Sequence, residues 1–258
     1  ALQKPLLIKG EPGTGKTVLA QAIATAMDKP LTIWNIKSTT KAQDGLYVYD
    51  VVQRLYDSQF GGQGVDDIKK YVKLGKLGEA FSSEEQVVLL IDEIDKADEE
   101  FEAFLLELLS EMQVTIPEVG TIKANSVPFV VLTSNRARPL SEALRRRCAY
   151  LHIDYPDMDK ELAILRKKLP HVDDRLCAQV ALAVQKLRSN EAILKKPSIA
   201  ETLDWAAALD ALGLRELTPD AMAQTAGFVL KNNEDMLLLS QQEQPGEHCG
   251  HCQGHSHG

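Results

Sequence analysis

An eight-residue glycine-rich segment constrains this chain more than any other part of its sequence. Residues 10–17 read GEPGTGKT and match the pattern G-x-x-x-x-G-K-[ST]. The segment follows the apolar run 6–8 and precedes apolar residues at helical spacing. Glycines let successive backbone N–H groups turn toward phosphate, and the next helix directs the positive end of its dipole there. The sequence therefore predicts a strand, a phosphate-binding loop and a helix, in that order.

Individual roles follow from this loop. Lys16 is predicted to contact the β- and γ-phosphates of ATP, and the Thr17 hydroxyl is predicted to hold Mg²⁺. A glycine turn without a nucleotide is the alternative, but the strand and helix around the motif argue against it. The predicted nucleotide contacts are Gly10, Glu11, Pro12, Gly13, Thr14, Gly15, Lys16, Thr17 and Val18.

Two carboxylates follow a second apolar run. Residues 87–91 are apolar, as expected of a strand buried on both faces, and run directly into Asp92 and Glu93. Carboxylates at such a position are costly unless a metal or a partner offsets their charge. Asp92 is predicted to hold Mg²⁺ through water, and Glu93 to act as general base on the attacking water. Alternatively, both only begin the acidic loop that continues with Asp95 and Asp98.

A third apolar run, residues 129–132, ends in polar residues that include Asn135. Parallel sheets place their ligands at the carboxyl ends of the strands, so Asn135 is predicted to orient water beside the γ-phosphate. An Asn that caps the next turn is the alternative.

Three adjacent arginines, Arg145, Arg146 and Arg147, follow on a short predicted helix. They point in three directions around the helix, so they cannot all serve one site. One reading is a solvated basic face. The other is an arginine finger that acts on the nucleotide of a neighbouring subunit, which requires an oligomer.

Strands that alternate with helices predict an α/β unit with a parallel sheet covered on both faces. After residue 155 only helical periodicity remains, and after residue 238 the chain becomes polar. We therefore expect an ATPase core over 1–155, a helical lid over 156–238 and a disordered tail over 239–258. Within the core the predicted strands are 6–8, 31–36, 87–91, 129–132 and 150–153, the predicted helices are 46–58, 65–81, 99–112 and 141–147, and a hairpin pairs 114–116 with 121–123 around 117–120.

Charge and composition exclude several classes of protein. The 258 residues carry a net charge of −8, which disfavours general binding to nucleic acid. No apolar run reaches the roughly 18 residues of a membrane span, and no signal-peptide pattern is present. The four cysteines form no disulfide framework, so a reducing cytoplasm is expected. The chain opens at Ala1 directly before a strand, and we expect further residues upstream.

The order of the motifs GEPGTGKT, LLIDEID, TSN and ALRRRC resembles the AAA+ ATPases, specifically the MoxR group. The longer stretches KSTTKAQDGLYVYDVVQRLYDSQ, LGKLGEAF and RRRCAYLHIDYP are similar to the MoxR-type ATPases of carbon monoxide dehydrogenase maturation. The resemblance spans residues 5–235. It implies an αβα phosphate-loop domain with a five-stranded parallel sheet and a helical lid, assembled as hexameric rings. It also implies chaperone-like remodelling of a metalloenzyme client, often with a von Willebrand factor A-domain partner.

The same resemblance implies a role for individual positions. Lys16 and Thr17 match Walker A, Asp92 and Glu93 match Walker B, and Asn135 matches sensor 1. Arg147 best matches the arginine finger, with Arg146 next. The hairpin over 114–123 matches the pre-sensor insertion, and residues 37–50 lie where the helix-2 insertion meets the ring pore. The lid segment 195–201 lacks the sensor 2 arginine of many relatives, and Lys196 is the candidate substitute, although an ammonium makes no bidentate phosphate contact.

The last residues form a cluster of metal-binding side chains. Cys-x-x-Cys with flanking imidazoles suits Zn²⁺, Cu⁺ or Ni²⁺. The alternatives are a disordered tail that picks up metal adventitiously and a remnant of cloning. The candidate ligands are His248, Cys249, His251, Cys252, His255 and His257.

The motifs predict a Mg²⁺-dependent ATP hydrolase, and the resemblance implies that hydrolysis remodels a partner protein, a metalloenzyme in maturation. The first alternative is a DNA-associated AAA+ motor or helicase loader, which the acidic charge disfavours. The second is a nucleotide-gated structural module with little turnover, which the presence of Glu93 disfavours.

Overall fold

The computed structural model describes residues 4–60, 67–116, 120–135 and 138–242. The chain divides between Asp154 and Tyr155 into two compact units, one residue from the predicted boundary. The predicted tail ligands from His248 to His257 lie outside the described residues, as do residues 61–64 and the predicted hairpin turn at 117–119.

The first unit is an α/β structure. A five-stranded parallel sheet has the strand order Leu31–Asn35 (β2), Val88–Asp92 (β5), Phe129–Ser134 (β8), Leu6–Gly10 (β1) and Ala149–Ile153 (β9). Two separate antiparallel pairs join Tyr47–Tyr49 (β3) to Val72–Leu74 (β4) and Gln113–Ile116 (β6) to Gly120–Lys123 (β7). In chain order its elements are β1 (Leu6–Gly10), α1 (Lys16–Ala26), β2 (Leu31–Asn35), α2 (Ala42–Leu46), β3 (Tyr47–Tyr49), α3 (Val51–Gln59), β4 (Val72–Leu74), α4 (Lys76–Ser82), β5 (Val88–Asp92), α5 (Glu99–Glu111), β6 (Gln113–Ile116), β7 (Gly120–Lys123), β8 (Phe129–Ser134), α6 (Glu142–Arg147) and β9 (Ala149–Ile153).

Apolar side chains that alternate along the strands pack both faces of the sheet against helices. Leu89 and Ile91 of β5 join the apolar cluster that contains Phe101 of α5, whereas Val88 and Leu90 join the cluster that contains Ala20 of α1. Because successive side chains of a strand point to opposite faces, one continuous apolar run supplies both layers. The unit is thus a three-layer αβα sandwich, which confirms the predicted fold class.

Parallel pairing also decides where the site forms. β5 and β1 both pair with β8, so the carboxyl ends of all three strands lie at one edge of the sheet. The phosphate loop follows β1, Asp92 ends β5, and Asn135 follows β8. Three segments that are distant in sequence are therefore neighbours at this edge.

The predicted helices over 46–58 and 65–81 are wrong in part. In the first range α2 has already ended at Leu46, and β3 and then α3 follow. Around the second range the chain forms a 3-10 turn (Ile68–Tyr71), then β4, then α4. β3 and β4 pair antiparallel, with Tyr47 opposite Leu74. Tyr47 is buried and Val48 is exposed, which is the two-residue alternation of a strand. A three-residue strand whose partner lies about 25 residues away leaves no local periodic signal, so the helical interpretation failed.

The other strands, helices and hairpin strands predicted for this unit are observed, with ends that differ by two residues or fewer. α2 packs closely because residue 45 is glycine. A Cβ at Gly45 would lie 2.2 Å from the indole ring of Trp34. A larger residue at position 45 would therefore displace α2 or the ring.

The second unit is helical throughout its described part. Its largest fully buried side chain is Trp205, whose indole N–H donates to Thr225 Oγ1 at 2.8 Å. The helices are α7 (Met158–Lys168), α8 (Asp174–Ser189), α9 (Ile199–Ala211), α10 (Pro219–Thr225) and α11 (Asn233–Gln242). Among the described residues, none of the helices has both the length and the apolar character needed to cross a membrane.

Candidate nucleotide site

The loop between β1 and α1 leaves the start of α1 open to an anion. Gly13 and Gly15 have φ of +72° and +90°, a region that glycine enters without strain. Gly15 precedes α1, and no side chain caps the helix; its first turn also lacks acidic residues. The first N–H groups of α1 and the positive end of its dipole therefore face the loop unneutralised.

Lys16 points its ammonium into this loop. Its Nζ donates to the carbonyl oxygens of Gly10 at 3.0 Å and Glu11 at 2.7 Å, and the side chain is only 6% exposed. Burial lowers the pKa of Lys16, and the nearby carboxylates, Asp92 foremost, partly oppose that shift. A buried cation with only carbonyl partners is a strong attractor for an anion.

Asp92 connects the loop to the centre of the sheet. Its Oδ2 accepts from the Thr17 hydroxyl at 3.1 Å, and its Oδ1 accepts from the Thr133 hydroxyl. Thr133 Oγ1 also accepts from the backbone N–H of Glu93 at 2.9 Å. One buried hydroxyl on β8 therefore fixes both Asp92, the last residue of β5, and Glu93, which follows it.

Glu93 has a strained backbone. Its φ of 60° and ψ of 45° are left-handed, which costs a non-glycine residue about 1–3 kcal/mol. Its Oε1 accepts from Asn135 Nδ2 at 2.8 Å, and its Oε2 pairs with Lys96. The hydrogen bond from Lys96 to the Glu93 carboxylate raises the pKa of Lys96. In this backbone conformation the carboxylate contacts both Asn135 and Lys96.

These groups surround one cavity of about 310 Å³. Of the predicted site residues, those that line it are Pro12, Gly13, Gly15, Lys16, Thr17, Val18, Asp92, Glu93 and Asn135. Gly10 and Glu11 contribute their carbonyls to Lys16 instead, and Thr14 donates its hydroxyl to Glu11 O at 2.8 Å.

A larger cavity of about 540 Å³ lies elsewhere in this unit, between α2 and the start of α5. There Asp98 already caps α5 by accepting from Phe101 N, and the first turn of α5 is acidic. This capped, negative helix start repels phosphate, so the smaller cavity is the better nucleotide site.

The predicted finger residues lie on α6, apart from the residues that line the nucleotide cavity of their own chain. Arg147 Nη1 donates to Leu106 O at 2.8 Å, and Arg146 forms an ion pair with Glu142 on its own helix. Arg145, Arg146 and Arg147 are all exposed. None of these three side chains lines the cavity of about 310 Å³.

Three residues of this site were not predicted from the sequence. Thr133 fixes Asp92 and Glu93, Lys96 pairs with Glu93, and the buried Asp95 accepts from the backbone N–H of Asn135 at 3.1 Å. Thr133 lies one residue beyond the paired Leu132, as Asp92 lies one beyond Ile91. The polar end of β8 was therefore a signal for Thr133, but only once β5 and β8 are known to be neighbours.

In the second unit, Lys196 donates its Nζ to the carbonyl of Asn190. Ser198 caps α9 and forms a capping box with Glu201. Among the residues that the structure describes, no three or more His, Cys, Asp or Glu side chains are grouped to hold a metal.

The site fits Mg²⁺ and a triphosphate on its own chemistry. The open N–H groups of α1 and the buried Lys16 suit phosphate oxygens, while Thr17 and Asp92 offer two oxygens within 3.1 Å of each other. Mg²⁺ binds through one or two protein oxygens, substrate phosphates and water, which this pair allows.

Comparison with solved structures gives the same fold. A RuvB variant of Thermotoga maritima superposes with a TM-score of 0.56 at 19% identity, and the T. maritima RuvB Holliday junction branch migration motor with 0.53 at 19%. Each covers 90% of this chain, and this chain spans 64% of the RuvB length.

Sequence comparison identifies relatives and a family. Uncharacterised proteins of Staphylococcus aureus strains NCTC 8325 / PS 47 and COL are each 29% identical over 194 residues, which cover 73% of this chain and 70% of theirs. The family described as "ATPase family associated with various cellular activities (AAA)" matches residues 6–154. That match spans the strands and loops that build the cavity, and the chain belongs to the AAA family of ATPases.

Proposed function

We propose that this cavity binds Mg²⁺-ATP and hydrolyses it. The observation that carries the proposal is the hydrogen-bonded chain from Thr17 through Asp92 and Thr133 to Glu93 and Asn135, beside the buried Lys16. When bound, Mg²⁺ neutralises charge on the phosphates. Lys16 and the N–H groups of α1 hold the triphosphate, and Thr17 and Asp92 hold the ion.

Glu93 and Asn135 act on water in this proposal. The Glu93 carboxylate accepts a proton from the attacking water as general base. The Asn135 amide donates to that carboxylate at 2.8 Å and orients the carboxylate and the water toward each other. Lys96 also pairs with the Glu93 carboxylate. Each oxygen of the Glu93 carboxylate accepts from one of these donors, Asn135 or Lys96, and keeps a further lone pair for the attacking water.

The test is the Glu93→Gln variant. We expect its kcat to fall by at least about 100-fold, because a general base contributes about 10²–10⁴-fold, while ATP affinity is retained. Glu99→Gln removes an exposed carboxylate at the start of α5 and serves as the matched control with unchanged kcat. A Glu93→Gln variant that hydrolyses ATP like the wild type would remove the catalytic assignment and favour a nucleotide-gated module with little turnover.

We further propose that subunits assemble into a ring, with Arg147, or Arg146 next to it, acting on the neighbour's nucleotide. The exposure of the α6 arginines and their place outside the cavity of their own chain support action in trans. An arginine finger contributes about 10³–10⁵-fold to kcat. Alanine at both positions should lower kcat without loss of ATP binding, and kcat of the wild type should rise with protein concentration as subunits associate.

The MoxR-like motifs support remodelling or metal-centre maturation of a metalloenzyme, together with a von Willebrand factor A-domain partner, as the use of this hydrolysis. Affinity capture with the ATP-trapped Glu93→Gln variant tests this directly. Retention of an A-domain protein and a metalloenzyme subunit is the expected result. The RuvB likeness favours a DNA motor as the second candidate, and the net charge of −8 opposes it. Retention of DNA alone, or ATPase activity that rises with DNA, would establish the second candidate instead.

The Cys- and His-rich tail is proposed to bind a transition metal through Cys249 and Cys252 with neighbouring imidazoles. Titration with Zn²⁺, Cu⁺ and Ni²⁺ should show one strong site in the full chain that is absent from a chain ending at Gln244. Equal stoichiometry and affinity in the two chains would reject it.

A further inference from the structure

A buried carboxylate on α5 holds two residues of the segment that follows β8. Glu102 is only 2% exposed. Its Oε1 pairs with Arg138, and its Oε2 accepts from the backbone N–H of Ser141 at 2.8 Å. A buried carboxylate is stable only when its charge and oxygens are satisfied, and these two donors satisfy it. Both donors belong to the segment between β8 and α6.

Glu102 contacts Ser141, the residue directly before α6. Ser141 caps this helix by accepting from Leu144 N. α6 has only six residues, and helices shorter than about 12 residues have little stability of their own. Its orientation is therefore set by contacts from outside.

Those contacts come from α5 at both ends. Glu102 holds Ser141, which caps the start of α6, and the carbonyl of Leu106, one turn further along α5, accepts from Arg147, the last residue of α6. Between them Leu144 is fully buried in the cluster that contains Leu105. α5 thus determines the direction in which α6 presents its arginines.

A second contact of Arg138 reaches the segment after β5, close to the proposed catalytic groups. Arg138 Nη2 donates to the carbonyl of Ala97 at 2.7 Å, just beyond the 3-10 turn that carries Asp95 and Lys96. Asp95 in turn holds the backbone of Asn135. The Arg138–Glu102 pair therefore connects the segment after β5 to the start of α6.

We propose that Glu102 is a positioning residue that fixes α6, and with it the arginine finger, in the orientation needed by the neighbouring subunit. This inference rests on the proposed action of Arg147 or Arg146 in trans. Within the part of the chain that the structure describes, the side-chain partners of Glu102 are Arg138 and Ser141, neither of which lines the nucleotide cavity, so its effect on hydrolysis passes through those two residues.

The Glu102→Gln variant keeps the shape of the side chain but removes its charge and replaces one acceptor with a donor. We expect kcat to fall about 100-fold, because misplacing a positioned group by about 1 Å costs on that order. KM for ATP should stay within about twofold, because binding of the substrate uses other residues. Glu107→Gln, which changes an exposed carboxylate on the same helix, is the matched control and should behave as wild type.

Mixed oligomers separate a positioning role from a structural one. A Glu102→Gln subunit retains a complete nucleotide cavity, and a Glu93→Gln subunit retains a correctly held α6. Mixing the two should raise ATPase activity at least about tenfold above the sum of the separate variants, because each supplies what the other lacks. A purely structural defect in Glu102→Gln would not be relieved in this way. The reference mixture combines Glu93→Gln with the double variant Arg146→Ala, Arg147→Ala.

The outcomes distinguish the two proposals. Recovery in both mixtures supports the role of Glu102. Recovery in the reference mixture alone overturns that role and leaves the arginine finger intact. No recovery in the reference mixture overturns the finger in trans, and the role of Glu102 with it. Arg138→Gln changes a side chain that is 32% exposed and serves as a second variant if Glu102→Gln misfolds; it must show the same recovery.

Discussion

Thr133 allows the sharpest test of how the site is held together. It is fully buried at the end of β8, where its hydroxyl donates to Asp92 and accepts from Glu93 N at 2.9 Å. Thr133→Val keeps nearly the same shape and removes both interactions. Thr133→Ser keeps both interactions and removes one methyl group.

The expected sizes of the two effects differ. A hydrogen bond to a charged group contributes about 1.5–3 kcal/mol, and an unsatisfied N–H costs about 1–3 kcal/mol. Because effects at one site do not add fully, Thr133→Val should lower the free energy of unfolding by about 2–4 kcal/mol. Thr133→Ser loses one buried methyl, about 1 kcal/mol.

The assay uses the position of the tryptophans. Trp34 lies on β2, opposite Ile91 of β5, whereas Trp205 lies in the second unit. In a Trp205→Phe background, Trp34 fluorescence during urea unfolding reports the first unit alone. kcat for ATP should fall in the Val variant and remain near the wild-type value in the Ser variant. A Val variant as stable and as active as the Ser variant would refute the role of the hydroxyl.

Three further predictions concern stability and reactivity. Arg188→Met should lower the free energy of unfolding by about 3–5 kcal/mol, because the fully buried Glu161 loses its cation. The control Arg166→Met removes an exposed ion pair and should cost at most about 1 kcal/mol. Circular dichroism during urea unfolding measures both losses, and equal losses would contradict this prediction. Burial lowers the pKa of Lys16, so its charged form opposes folding below that pKa, and this cost disappears as pH rises toward the usual value for lysine. At pH 7 the ligand-free Lys16→Met variant should therefore have a Tm no lower than wild type but gain nothing from Mg²⁺-ATP; a lower ligand-free Tm would count against this. Burial raises the pKa of Cys148 to about 11, so a variant that retains only this cysteine should react with iodoacetamide at pH 8 at least about 100-fold more slowly than a free thiol, and an equal rate would disprove its burial.

The sequence predicted the three strands that end at the candidate nucleotide site, because each strand and its polar end are marked by neighbouring residues. Each of these strands is indicated by an apolar run and the polar residues that follow it within a few positions. The polar residues are the phosphate loop in the first case, Asp92 in the second and Asn135 in the third. Parallel pairing then places those ends together without further information. The antiparallel pair of β3 and β4 was missed, because pairing of Tyr47 with Leu74 depends on residues far apart in the chain.

The sequence by itself determined the motifs, the αβα architecture and the edge of the sheet at which Lys16, Asp92 and Asn135 meet. Only the tertiary structure decided which groups hold them, because a side chain such as Thr133 or Glu102 acquires its partners from other segments. The buried carboxylate of Glu102 looked like any other acid of an acidic helix until the fold placed Arg138 and Ser141 against it. Residue type sets what a group can do, and burial beside a particular neighbour decides whether it does it.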